Sequence, residues 1–271
     1  MECDLGEIVV HYETFGEGIP IIMLHGWYLD HRSMMADLEP VFKTRLGWKR
    51  IYLDLPGMGR TPGMGWIANN DHMLAVIQGF IDNVIPGQRF LVAGYSYGGY
   101  LARGIVYRNS AMMDGLLLIA PIITPSQLSS STKLTLVKDD ALVSELSTEE
   151  SSVFDLAVVQ SREALEYLRI HVLPAIRAAD LEFVKKLRGK FSFDVDSLSE
   201  PFDKPTLILI GRQDSYVGYR ELWSIIENYP RATFAILDRS GHFLGRPGEQ
   251  EKLFEALVNE WLDRVREQTR Q

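Results

Sequence analysis

Ser96 stands in the stretch Gly94-Tyr95-Ser96-Tyr97-Gly98, behind the apolar run 89–93 and ahead of the helical pattern 100–107. A strand that turns sharply into a helix can lift one residue above the sheet edge, in a backbone conformation costing roughly 1–3 kcal/mol. Side chains two positions to either side would collide across such a turn. Gly94 and Gly98 therefore flank Ser96, and Gly99 lets the helix pack close. The hydroxyl is left exposed, with a helix N-terminus behind it.

A serine hydroxyl is a weak nucleophile at neutral pH. It needs a base, and the base needs an orienting carboxylate. Of the six histidines, His11 alternates within a strand, His25 shapes a loop, His31 and His72 stand at polar helix starts, and His171 lies in a helical stretch. His242 differs: it closes the sequence DRSGH behind a predicted strand, with Gly241 giving the loop freedom to turn inward. The carboxylate belongs on another loop at a strand's C-terminal end, and Asp214 in ILIGRQD meets that requirement, with Asp238 in reserve. The order is Ser96, Asp214, His242. Negative charge on a tetrahedral intermediate calls for two preorganised backbone N–H groups. The residue after the nucleophile, Tyr97, offers one, and Trp27 in MLHGWYLD offers the other. Tyr28 and Tyr95 stand beside these groups as pocket candidates.

Such loops need a sheet to converge upon. Continuous apolar runs ending in Gly or Pro at 18–26 and 48–57, with further runs at 89–96, 113–121, 204–214 and 232–242, read as buried parallel strands. The stretch 7–13 alternates in polarity like a half-buried strand. Helical patterns lie between them, at 71–85, after Ser96, after Asp214 and from Pro247 to the end. Alternation of this kind means a mostly parallel α/β sheet flanked by helices. It breaks between 124 and 200, where no strong strand signal occurs. The polar stretches SQLSSSTK and SELSTEESS give way to a helical pattern with Leu165, Leu168, Val172 and Ile176 on one face, and Pro174 marks a kink. The expected organisation is a core formed by 1–123 and 201–271, with a helical cap at 124–200.

Taken together and in this order, HGW at 25–27, DLPGMGRT at 54–61, GYSYGG at 94–99, GRQD at 211–214 and SGH at 240–242 resemble the α/β-hydrolase fold family, in its capped single-chain group. The resemblance spans nearly the whole chain. It implies an eight-stranded sheet, a nucleophile elbow after the fifth strand and a helical cap over the site. It coincides with the triad and the two N–H donors already read from the residues. Met58 stands where relatives often carry His, and HGWYLDHRS lacks the Pro many of them have. Relatives that open epoxides or haloalkanes place Asp at the nucleophile, so Ser96 argues against both.

The whole-chain properties agree with a soluble enzyme. The chain has 271 residues, 46% hydrophobic and 24% charged. That is long enough for a core needing no staples. A net charge of −8 argues against a nucleic-acid partner, which would require a basic stripe. One cysteine allows no disulfide within the chain or thiolate metal cluster. No 18-residue apolar stretch exists, so no membrane partner is expected. The N-terminus carries no signal-peptide pattern and the expected location is cytoplasmic. No HExxH-type spacing occurs, so neither metal nor cofactor is expected.

The expected activity is a serine hydrolase of carboxylesterase type, acting on a small, largely apolar ester or related acyl compound. Carbon–carbon bond, lactone and amide hydrolases share the same machinery, as does a cofactor-free perhydrolase. A non-catalytic small-molecule binding protein on the same fold is the alternative from another class.

Overall fold

The computed structural model describes residues 1–123, 134–188, 190 and 194–270. The polar stretch 126–133, read as a loop or a helix start, lies outside them. Eight strands form one sheet: β1 (Glu2–Asp4), β2 (Val9–Phe15), β3 (Ile19–Leu24), β4 (Trp48–Leu53), β5 (Phe90–Tyr95), β6 (Met113–Ile119), β7 (Thr206–Gly211) and β8 (Ala232–Leu237). Their spatial order is β1-β2-β4-β3-β5-β6-β7-β8. β2 pairs antiparallel with β1 and β4, and every other pairing is parallel. Every residue of β5, β6 and β7 is buried, as continuous apolar runs covered on both faces should be.

Helices α1 (His31–Phe42), α2 (Asn70–Val84) and α3 (Tyr97–Asn109) connect the first six strands. Between β6 and β7 come α4 (Asp140–Ser144), α5 (Thr148–Phe154), α6 (Arg162–Tyr167), α7 (Leu173–Ala178) and α8 (Leu181–Arg188), and α9 (Glu251–Thr269) closes the described chain. Helices α1 and α9 pack on each other and on the sheet, and so do α2 and α3. Among the described residues no strand lies between β6 and β7, only a single bridge between Val137 and Val159. None of their helices is long and apolar enough to cross a membrane.

Several elements depart from the sequence expectation. β1 is only three residues long and pairs Cys3 with Val10, too short for any periodicity to show. The segment Arg220–Asn228 is a 3₁₀-helix, not an α-helix. Its buried Leu222 and Ile225 are three apart, and three residues per turn aligns them. The expected kink at Pro174 takes the form of a π-turn at Leu168–Val172 immediately before it, where Leu173 N–H donates to Leu168 O. Proline has no N–H to continue an α-ladder. The last helix starts at Glu251, not at Pro247. Gln250 sits in the left-handed region at φ +57°, which ends the preceding loop abruptly.

Arg103 on α3 ties the helical segment to the core. It is fully buried and donates to both carboxylate oxygens of Asp196, at 2.8 and 2.6 Å, and to the carbonyls of Ile122 and Ile123. Replacing it by Met leaves two carbonyls and a partly exposed carboxylate without their donor. Arg103→Met is therefore expected to lower stability by about 1–3 kcal/mol, read as a shifted urea-unfolding midpoint.

Candidate active site

The C-terminal edge of the sheet gathers four loops. Residues 25–27 leave β3, Ser96 leaves β5, Asp214 follows β7 and His242 follows β8. Ser96 adopts φ +53°, ψ −112° as the residue capping α3. Its N–H donates to Ile119 O at 2.9 Å, and its carbonyl accepts from Gly99, Tyr100 and Ile122 N–H. The absent side chains matter: a Cβ on Gly98 would lie 2.1 Å from Leu24 O, and one on Gly94 would lie 2.3 Å from Gly98 O. No side chain fits at such distances, so the strand, the turn and the helix meet backbone to backbone.

Ser96, Asp214 and His242 come together although they are far apart along the chain. His242 Nδ1 lies 2.9 Å from Asp214 Oδ2, and Nε2 lies 3.1 Å from Ser96 Oγ. A carboxylate only accepts, so Nδ1 carries the proton and Nε2 faces the hydroxyl as acceptor. The other Asp214 oxygen accepts from Tyr216 N–H at 2.8 Å and Val217 N–H at 2.9 Å. All three side chains are buried. Asp238, the reserve carboxylate, is exposed at the end of β8.

Trp27 lines the same cavity as Ser96 and Tyr97 follows Ser96 at the start of α3, and neither backbone N–H donates to another described residue. Their side chains stack, with ring centroids 3.5 Å apart and planes 10° apart, and Tyr97 OH donates to Asn70 Oδ1. The stack ties the loop leaving β3 to the first residue of α3. His25 shapes this loop. Its Nε2 accepts from Leu55 N–H at 2.9 Å and its Nδ1 lies 2.8 Å from Gly26 O. Burial lowers its pKa, keeping the ring neutral for this two-sided role.

A cavity of about 150 Å³ opens on Ser96 and His242. Tyr28 and Tyr95 line it, together with Trp27. The sequence did not point to Tyr216 and Phe243, or to Val153, Leu156, Val172 and Ile176 from the helical segment, which complete the wall. Only the shared face of Val172 and Ile176 hinted at that last group.

Glu249 was missed as well. It is buried, with Oε1 accepting from Val158 N–H and Oε2 from Gly241 N–H, both at 2.9 Å. It thus clamps the His242 loop to the helical segment. Burial raises its pKa while the N–H donors hold it down. Gly241 serves this contact, not conformational freedom: a Cβ there would lie 2.8 Å from Val158.

Residues 21–255 match the model of the alpha/beta hydrolase family. A pimeloyl-[acyl-carrier protein] methyl ester esterase of Legionella pneumophila is 23% identical, with 86% of this chain and 91% of that protein covered. A 2-hydroxy-6-oxononadienedioate/2-hydroxy-6-oxononatrienedioate hydrolase of Burkholderia vietnamiensis is 27% identical, covering 95% and 92%. The crystal structure of an alpha/beta superfamily hydrolase from Oenococcus oeni superposes with a TM-score of 0.86 at 27% identity, covering 98% of this chain and 99% of that one.

A glutamine at position 249 can accept only one of the two N–H groups and turns its amide toward the other. Glu249→Gln is expected to cost about 1–3 kcal/mol in urea unfolding. Faster hydrogen exchange at Gly241 N–H should accompany the loss.

Proposed function

The chain belongs to the alpha/beta hydrolase family, and from that premise we propose that it is a serine hydrolase of carboxylesterase type acting on a small, uncharged ester. The observation that carries this reading is the relay from Asp214 Oδ2 through His242 to Ser96 Oγ, at 2.9 and 3.1 Å. In this reading His242 Nε2 takes the Ser96 proton as Oγ attacks the ester carbonyl. Asp214 holds the imidazole in the required tautomer and offsets the charge of the imidazolium. The tetrahedral oxyanion is held by the N–H groups of Trp27 and Tyr97. His242 then protonates the departing alcohol. Water, deprotonated by the same imidazole, attacks the acyl-enzyme and releases the acid. The helices between Asp140 and Arg188 act as a cap that excludes bulk water and supplies one wall of the pocket.

The pocket supports the choice of ester. A cavity near 150 Å³ is large enough for a benzene-sized group. Among the described residues its wall is apolar and aromatic apart from Ser96 and His242, and none of them is Lys or Arg. A dicarboxylate of the kind named for the Burkholderia relative would bring a charge that no described lining residue meets with a cation. The methyl ester named for the Legionella relative is uncharged at the bond to be cleaved, so that end needs no cation in the cavity.

Ser96→Ala is expected to abolish both turnover of p-nitrophenyl acetate and labelling by a fluorophosphonate, with the thermal midpoint retained. Activity surviving that substitution would remove Ser96 from the mechanism. Asp214→Asn should lower kcat by about 10⁴, since the relay then favours the wrong tautomer. Across acyl chains, kcat/KM should fall at least about tenfold from p-nitrophenyl butyrate to the decanoate as the chain outgrows the cavity.

A further inference from the structure

His11 has no part in the reaction just described, yet its surroundings are unusual. His11 is 4% exposed, and neither Nδ1 nor Nε2 has a hydrogen-bond partner among the described residues. A neutral imidazole has one N–H to donate and one lone pair to fill, and buried polar atoms are nearly always satisfied. Two residues further along β2, on the same face of the strand, stands Glu13. Its Oε1 is 3.6 Å from His11 Nε2. That is too long for a hydrogen bond. It is close to the roughly 3.4 Å that separates two ligands of one tetrahedral zinc, given bonds of about 2.0–2.2 Å.

The third member comes from α1. His31, at the helix start, lies beside His11 with ring centroids 5.4 Å apart. One donor atom from each of His11, Glu13 and His31 can be chosen so that all three lie within 4.8 Å of one another. His31 is already oriented: its Nδ1 lies 2.8 Å from Asp54 Oδ1, which leaves Nε2 as its free nitrogen. A carboxylate behind an imidazole is the arrangement that fixes tautomer and ring angle in histidine metal ligands. Asp54 is itself held in place, accepting from His31 N–H and Arg60 N–H, both at 2.9 Å.

We propose that His11, Glu13 and His31 form a binding site for a divalent transition-metal ion, zinc foremost, with a remaining position open to water through half-exposed Glu13. Two imidazoles and one carboxylate suit zinc and its neighbours, whereas calcium and magnesium take oxygen ligands. The ion pins β2 to the start of α1. Through Asp54, whose neighbour Leu55 donates its N–H to His25, it stiffens the loop that carries Trp27. It lies outside the cavity lined by Ser96 and His242 and has no chemical role there.

The test titrates the full chain, first stripped with EDTA, with zinc chloride by calorimetry, and with cobalt(II) by visible absorption. One equivalent is expected to bind, and cobalt should give the intense visible bands of a low-coordinate site. Bound zinc should raise the thermal midpoint. Glu13→Ala leaves the fold intact because Glu13 is half-exposed, and it should weaken zinc at least about tenfold. His11→Ala should do the same, while His72→Ala should bind as the unsubstituted chain does. Absence of saturable zinc uptake by the unsubstituted chain, or undiminished uptake by Glu13→Ala, overturns the site. These readouts do not involve ester turnover, so their failure leaves the hydrolase reading untouched, and a failed Ser96 experiment leaves the metal site untouched.

Discussion

The backbone at Ser96, held at φ +53° and ψ −112°, is a conformation that L-residues avoid at a cost of roughly 1–3 kcal/mol. It persists because its surroundings leave no alternative. Its N–H is bound to the end of β6, and its carbonyl accepts from two residues of α3 and from Ile122. Two neighbours of the cleft, Tyr28 at φ +64° and Ala120 at φ +42°, share the strain. The rigid, fully buried strands β5 and β6 bear it. This one turn sets where Oγ points, and it leaves the N–H of Tyr97, at the start of a helix, without a partner among the described residues. The relay to His242 and Asp214 is assembled around a position the backbone has already determined.

A second layer of constraint consists of buried charges where the helical segment meets the core. Arg103 meets Asp196, and Glu249 meets the N–H groups of Val158 and Gly241. Arg246 lies 3.5 Å from Asp37, which also accepts from Tyr167 OH on α6, and its guanidinium stacks on Phe243 and Tyr167. Burial raises the pKa of Asp37 against the opposing pull of Arg246. Pairs like these contribute little net stability against apolar packing, but removing one partner is costly. Their effect here is positional. Each contact is met in only one placement of the segment, and Phe243, which also lines the reactive cavity, is held from behind by Arg246.

The frame was legible because it depends on local signals. Buried parallel strands need continuous apolar runs, and a tight strand–turn–helix needs glycines at fixed offsets. The pairing of Ser96 with His242 and Asp214 could be argued from loop positions at strand ends, since a parallel sheet brings those ends to one edge. β1 was invisible because three residues carry no period, and Arg220–Asn228 was misread because Leu222 and Ile225 satisfy three-residue and 3.6-residue repeats alike. Pro247 and Glu249 look like helix starters, but tertiary contacts claim the Glu249 carboxylate before α9 begins. Nothing local marks Glu249 as a clamp, His11 as an orphaned imidazole or Val153 as a pocket wall. Those properties exist only once remote backbone arrives beside them.

The same division separates the Ser96–His242–Asp214 relay from the wall of the cavity beside it. Ser96, His242 and Asp214 sit on loops leaving the sheet, whereas Val153, Leu156, Val172 and Ile176 reach the cavity from the inserted helices. The π-turn at Leu168–Val172 falls between Leu168, which lines a separate small cavity beside Arg246, and Val172, which lines the reactive one. One extra residue per turn rotates the side chains of α7 relative to those of α6, so the turn decides which apolar groups reach the reactive cavity. Pro174 makes that turn hard to undo, since it cannot supply the N–H a regular ladder would require. Relatives with names as different as a methyl ester esterase and a dienedioate hydrolase are therefore compatible with one reactive edge. The cavity-lining residues of the inserted helices lie on a segment separate from the strained turn at Ser96.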